Sequence, residues 1–202
     1  MKKIGIMGGT FNPIHNGHLA IAKAAYEQFS LEKVLFLPSK KPPHKKNRKI
    51  EGNKERMDMV SLAILPYPFF VISKNEMERE GYSYTSDTLA DLKKIYPDYE
   101  LCFIVGADSL HYMAQWHKPE IVFSLSHVLC APRYPNTKQE DYKCREQLLM
   151  KFKAKIDFIE MKPVNISSKK IVQSLQEGKE IQDQLPEEVY QYIKAHHLYC
   201  VS

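Results

Sequence analysis

Ile6-Met7-Gly8-Gly9-Thr10-Phe11-Asn12-Pro13-Ile14-His15-Asn16-Gly17-His18-Leu19 reads as a strand that ends in paired glycines and gives way, within a few residues, to a helix. Open α/β sheets bind ligands at the carboxyl ends of their strands. A helix amino terminus placed there offers free N–H groups and positive potential to a phosphate. Gly8 and Gly9 let the backbone approach such a ligand closely. His15 and His18 stand three residues apart around the helix start, so on a helical turn they share a face and can point at one anion. Two imidazoles there can donate hydrogen bonds to phosphate oxygens as charge builds in a displacement. Paired glycines alone are a weak signal, and a single histidine is more often structural, so the weight lies on the combination. The spacing is neither the G-x-x-x-x-G-K-[ST] of a P-loop nor the G-x-G-x-x-G of a dinucleotide-binding dehydrogenase.

Outward from this stretch, short apolar segments rich in β-branched residues recur at 3–7, 33–38, 69–73, 100–105, 127–131 and 156–161. Helical spacing lies between several of them. Leu19, Ala22, Ala25, Tyr26 and Phe29 make one face, Met57, Val60, Ile64 and Leu65 another, and Leu89, Leu92 and Ile95 a third. Short strands alternating with helices predict a doubly wound α/β fold, a parallel sheet covered on both faces. Residues 167–176 and 186–196 read as two further helices joined through Gly178, packed beside the sheet as a small carboxyl-terminal appendage. Pro186 followed by Glu187 and Glu188 suits a helix start.

The 202 residues, 44% of them hydrophobic, suffice for one sizeable core, and a single domain over 1–202 is expected. No apolar run approaches the roughly 20 residues that cross a bilayer. The opening MKKIGIMGGT enters a glycine-containing β-like run instead of a signal-peptide core, so a soluble, unprocessed, cytoplasmic chain is expected. Cys102, Cys130, Cys144 and Cys200 include no C-x-x-C pair, which suggests neither a zinc site nor a disulfide framework. The formal charge of +5, with 24 acidic among 29 basic residues, does not demand a nucleic-acid partner. The densest basic run, 40–49, reads either as a solvated loop or as an anion-binding lid.

The stretch G-G-T-F-N-P-I-H-N-G-H resembles the H-x-G-H signature of the nucleotidyltransferase superfamily, which has a Rossmann-like fold. Further along come Pro42-Pro43-His44-Lys45, Ser83-Tyr84-Thr85-Ser86-Asp87-Thr88-Leu89, Gly106-Ala107-Asp108-Ser109 and Trp116. In the same order and at similar separations they resemble the bacterial nicotinate-mononucleotide adenylyltransferases, over essentially the whole chain. The resemblance implies that Gly8, Gly9, Thr10, Phe11 and His18 meet ATP, together with Gly106 and Asp108 near its adenosine. It implies that Trp116 stacks on the nicotinate ring, that the Thr85 region meets the ring's carboxylate through backbone groups, and that Lys45 contacts phosphate. An indole face suits a flat, electron-poor ring, whereas a sole tryptophan read alone is a packing residue. Asp108 could equally cap the next helix, and Arg133 is either a phosphate contact or a surface arginine.

Ile166-Ser167-Ser168-Lys169-Lys170-Ile171-Val172 is similar to the family's I-S-S-T-x-I-R, whose serines open a helix at the ATP phosphates. Lys169 replaces the threonine and Val172 the arginine. Ser167 and Ser168 alone read as helix caps. With the rest of the match they read as phosphate ligands, and Lys169 or Lys170 would restore positive charge without an arginine's fork. The implied reaction joins AMP from ATP to nicotinate mononucleotide, giving nicotinate adenine dinucleotide and pyrophosphate. His15 and His18 are its catalytic groups, and Mg²⁺ is carried by ATP because the sequence shows no carboxylate cluster to hold it. Neither nucleic acid nor membrane is an expected partner; self-association stays open. The rival readings are a phosphopantetheine adenylyltransferase-like or cytidylyltransferase-like sister enzyme, and a noncatalytic nucleotide-binding sensor. Pro42 to Lys45, Thr85 and Trp116 argue against the first, the intact His15 and His18 against the second.

Overall fold

The apolar segments form six strands, and a computed structural model describes them within residues 2–42, 50–132, 139–162, 164–179 and 181–200. In chain order the elements are β1 (Lys2–Gly9), α1 (Asn16–Gln28), β2 (Lys33–Pro38), α2 (Asn53–Ile64), β3 (Phe70–Ile72), α3 (Asn75–Glu78), α4 (Thr85–Ile95), β4 (Tyr99–Gly106), α5 (Ala107–Leu110), α6 (Pro119–Leu125), β5 (Ser126–Ala131), α7 (Gln139–Phe152), β6 (Lys155–Phe158), α8 (Ser168–Gln176) and α9 (Glu187–Ala195). The strands lie in the order β3-β2-β1-β4-β5-β6, and every neighbouring pair is parallel. This is the expected doubly wound, Rossmann-like sheet. Among the described residues no helix is long and apolar enough to cross a membrane.

Side chains of the central strands alternate between two covered faces, which is why these strands read as unbroken apolar runs. Met7, Val34, Phe36, Ile104 and Leu129 face a core built with Leu19, Ala22 and Ala25 of α1 and with Met59, Val60 and Ala63 of α2. Ile171 of α8 and Val189 and Ile193 of α9 belong to the same core, so the appendage shares the main apolar interior. Ile4, Ile6, Leu35, Leu37, Phe103 and Val105 face the other core, with Leu89 and Leu92 of α4 and Leu148 of α7.

Two apolar positions read as core are on the surface: Leu65 is 77% exposed and Ile95 58%. Both stand at or just past the end of a helix. The buried stripe of α2 runs instead through Arg56, Met59, Val60, Ala63 and Ile64, at the i, i+3, i+4, i+7 spacing of one helical face. Its first member is an arginine, which hid the register in the sequence. β3 and β6, at the two sheet edges, are shorter than the runs that announced them.

The strand order reverses between β1 and β4, whose carboxyl ends at Gly9 and Gly106 therefore diverge into different loops. Such a switch point opens a crevice.

Candidate active site

Two adjoining clefts occupy that crevice, with volumes of about 260 and 460 Å³. Gly8, Phe103, Ser109 and Trp116 line both and form their common wall. The smaller cleft reaches from Gly9, Thr10 and Ser39 to the start of α4 at Tyr84 and Thr85. The larger runs from His15 and His18 at the start of α1, past the Gly106–Ser109 turn, to Ser167, Ser168 and Lys169 at the start of α8.

His15 is the N-cap of α1 and His18 lies three residues on. Their rings stack, with centroids 3.7 Å apart and planes inclined by 22°. The backbone N–H of His15 donates to Nδ1 of His18 at 3.2 Å, so in the neutral ring the His18 proton sits on Nε2. His15 is only 6% exposed, and burial pushes its imidazole down to about 4, so it is neutral at physiological pH. Its Nδ1 is buried with no hydrogen-bond partner. A Cβ on Gly17 would lie 3.0 Å from that same atom and 3.1 Å from the neighbouring ring carbon, so a larger residue there would press the His15 ring aside by a few tenths of an ångström.

The loop between β1 and α1 is clamped from several directions. The Arg56 guanidinium donates to the Thr10 carbonyl at 2.7 Å, to the Glu51 carbonyl at 3.1 Å and to the Asn53 side chain. Asn12 Oδ1 accepts from the Glu51 backbone and from the Tyr199 hydroxyl, both at 3.0 Å. Ser168 Oγ donates to the Pro13 carbonyl at 2.9 Å. Phe11, expected among the ATP contacts, is 2% exposed and lines neither cleft. In the left-handed region at φ 47°, its ring packs on Phe36, meets the His18 ring edge-on at 5.1 Å, and lies 3.1 Å from where a Cβ of Gly9 would be. Phe11 supports the site from beneath. Gly9 and Thr10, also expected at ATP, line the smaller cleft.

Ser167 caps α8, its Oγ accepting from the Lys170 backbone at 3.3 Å. Ser168 leads the helix and Lys169 reaches the larger cleft; Lys170 does not line it. Val172 is half-buried against the core. Gly106, and not Asp108, is the N-cap of α5; Asp108 is exposed in its first turn and lines the larger cleft.

Trp116 is half-buried, its ring edge-on to Phe103 at 6.1 Å. Thr85 opens α4, which Thr88 anchors by donating to Glu76 Oε1 at 2.8 Å while accepting from Arg79 at 3.0 Å. Arg79 in turn pairs with Asp91 at 2.5 Å. Lys45 and Arg133 lie outside the described residues. Sequence reasoning missed Glu76, His117 and the clamp residues Arg56 and Tyr199. His117, whose ring stacks on Tyr84 at 4.2 Å, was signalled only by its place after Trp116.

Comparison with known proteins agrees with this geometry. The cytidylyltransferase-like family model matches residues 6–174. A probable nicotinate-nucleotide adenylyltransferase of Lachnoclostridium phytofermentans is 43% identical over 201 residues, covering 98% of this chain and 100% of that protein. One of the same description from Bacillus pumilus is 39% identical, covering 98% and 99%. The solved structure of Plasmodium falciparum nicotinic acid mononucleotide adenylyltransferase complexed with NaAD shares the fold, with a TM-score of 0.77 at 20% identity and 98% of each chain covered. A nucleotide-sized double cleft at the switch point, a stacked histidine pair at a helix start and full-length relatives of one description converge: the chain belongs to the cytidylyltransferase-like family and, within it, to the nicotinate-nucleotide adenylyltransferases, which are nucleotidyltransferase enzymes.

Proposed function

We propose that this chain transfers AMP from ATP to nicotinate mononucleotide, forming nicotinate adenine dinucleotide and pyrophosphate in NAD biosynthesis. The observation that carries the reading is the common wall of Gly8, Phe103, Ser109 and Trp116, which sets two ligand-sized clefts side by side at the start of α1. One cleft takes the acceptor and the other ATP, so the acceptor phosphate meets the α-phosphorus where they join. An oxygen of the acceptor phosphate forms the new P–O bond, and the bond to pyrophosphate breaks in line with it.

The acceptor phosphate is already anionic near neutral pH, so the chain supplies no general base. Its task is positioning and charge stabilisation. His18 offers Nε2–H to a phosphate oxygen. The starts of α1 and α8 add their backbone N–H groups, and Ser167, Ser168 and Lys169 face the departing phosphates. Gly106 and Asp108 take the adenosine side. Lys45 and Arg133 are assigned to phosphate on the sequence resemblance alone. Among the described residues Asp108 is the one carboxylate lining the larger cleft; Mg²⁺ carried by ATP would supply neutralisation of the phosphate charge. The four free cysteines suit a reducing cytoplasm, where we place the protein as one nucleotidyltransferase domain over 1–202.

The deciding experiment supplies ATP with nicotinate or nicotinamide mononucleotide side by side and measures dinucleotide and pyrophosphate. Equal yields of both products with the nicotinate substrate are expected. Absence of dinucleotide with either acceptor would overturn the reading. Trp116→Ala tests the acceptor side, because stacking on a flat ring is worth about 1–3 kcal/mol, roughly 5- to 150-fold in binding. The Michaelis constant for the mononucleotide should rise by that factor and that for ATP far less. Equal rises for both, with a lowered melting temperature, would make Trp116 a packing residue.

A further inference from the structure

Toward the other end of β4, four to six residues before Gly106 and so roughly 13–20 Å from it along the strand, three metal-donor side chains converge. Glu100 and Cys102 on β4 and His127 on β5 bring an oxygen, a sulfur and a nitrogen within 4.8 Å of one another. Adjacent strands in register supply them, Cys102 standing opposite His127. No motif spacing could reveal the group, because its members come together only by strand pairing.

His127 is 4% exposed. Its Nε2 lies 2.7 Å from Asp157 Oδ2, a hydrogen bond that in the neutral ring puts the proton on Nε2 and leaves a lone pair on Nδ1. That Nδ1 has no hydrogen-bond partner and points at Glu100 Oε1 from 3.4 Å. In the neutral ring this nitrogen lone pair faces a carboxylate oxygen, a repulsive contact that a cation standing between them would relieve. Bonds of about 2.0–2.2 Å from a tetrahedral divalent ion would hold such a nitrogen and oxygen about 3.3–3.5 Å apart, as found. Asp157 behind the ring completes the carboxylate–histidine–metal arrangement that orients a ligating imidazole.

We propose that Glu100, Cys102 and His127 form a binding site for a borderline-soft divalent cation of the Zn²⁺ type, with water as fourth ligand and Asp157 orienting His127. Sulfur with imidazole selects this class over Mg²⁺ or Ca²⁺, which take oxygen. Cys102 Sγ closes onto the ion by a side-chain rotation and gives up its proton on binding. Lys155 supplies the competing charge. Its Nζ contacts the same Glu100 Oε1 at 2.5 Å, and at 59% side-chain exposure it can swing into water as the ion enters. An open cleft lined by Glu100, Ser126, His127 and Lys155 gives access from solvent. The ion would tie β4 to β5 and act on stability, separate from the transfer reaction.

The test uses untagged full-length protein, stripped with a chelator and titrated with Co²⁺ as a spectroscopic substitute for Zn²⁺. One Co²⁺ per chain with a thiolate-to-cobalt charge-transfer band is expected, and Zn²⁺ should displace it. Zn²⁺ at a hundredfold excess over its dissociation constant should raise the melting temperature by about 5–10 °C. Cys102→Ser should abolish the band, whereas the double variant Cys144→Ser, Cys200→Ser should keep it. Lys155→Ala should tighten Co²⁺ binding several-fold by removing the ammonium from Glu100. Wild-type protein without a thiolate band, a band that survives Cys102→Ser, or an affinity unchanged by Lys155→Ala would overturn the proposal. The wild-type and Lys155→Ala arms decide it even if Cys102→Ser does not fold.

Discussion

His18→Ala is expected to lower turnover by about 100-fold or more while the protein stays folded. That is the loss seen when one preorganised donor to a developing oxyanion is removed, on the order of 2.7 kcal/mol or more. The structure makes the donor specific. The His15 backbone N–H donates to Nδ1 of His18, which in the neutral ring puts the proton on Nε2, and His18 lines the larger cleft. The imidazole is held from two sides, stacked on His15 and met edge-on by Phe11, so little reorganisation is needed when charge develops. His15→Ala should also impair turnover, since the buried ring fixes the orientation of its partner. The measurement is steady-state turnover of purified variants, with circular dichroism and melting temperature as controls for folding. Near-normal turnover in both variants would remove the pair from the mechanism.

The histidine pair was legible in sequence because i, i+3 neighbours on a helix meet through local geometry alone. The central strands were legible for a similarly simple reason. Burial on both faces demands an apolar residue at nearly every position, and the runs at 33–38 and 127–131 show it. Edge strands are under weaker demand, so the run at 156–161 overstates a strand that ends at Phe158. Leu65 and Ile95 fit a periodic pattern that continues past the point where the helix still faces the core. What stayed hidden depends on contacts between distant segments. Ser168 and Pro13 are 155 residues apart and Tyr199 and Asn12 187 apart, yet each pair shares a hydrogen bond at the loop between β1 and α1. Glu76 joins the smaller cleft from a four-residue helix that carries no motif. Resemblance alone gave Trp116 its expected role; in the structure it stands in the wall between both clefts.

Arg56→Met is expected to be the most destabilising single change near the site, because this arginine is a structural clamp in a position that reads as surface. It is 1% exposed, and its hydrogen bonds reach the carbonyls of Thr10 and Glu51 and the side chain of Asn53. Two effects oppose one another. Burial penalises the guanidinium, whose pKa is lowered for that reason, so removing the charge relieves a desolvation cost. Methionine nevertheless brings no donor, and each buried acceptor left unpaired costs about 1–3 kcal/mol. With two carbonyls stranded, the net loss should be about 2–5 kcal/mol, or a fall of roughly 5–15 °C in melting temperature for a chain of this size. Activity should fall as well at temperatures where the variant is still folded, because the Thr10 carbonyl anchors the loop between Gly9 and His15. Arg56→Lys separates charge from geometry. A lysine keeps the positive charge but cannot serve three acceptors through one planar fork, so it should lose most of the same stability. A melting temperature within about 2 °C of wild type for Arg56→Met would show that water or a rearranged loop satisfies those carbonyls without the arginine. Recovery of full stability by Arg56→Lys would show that charge, and not the fork, holds the loop.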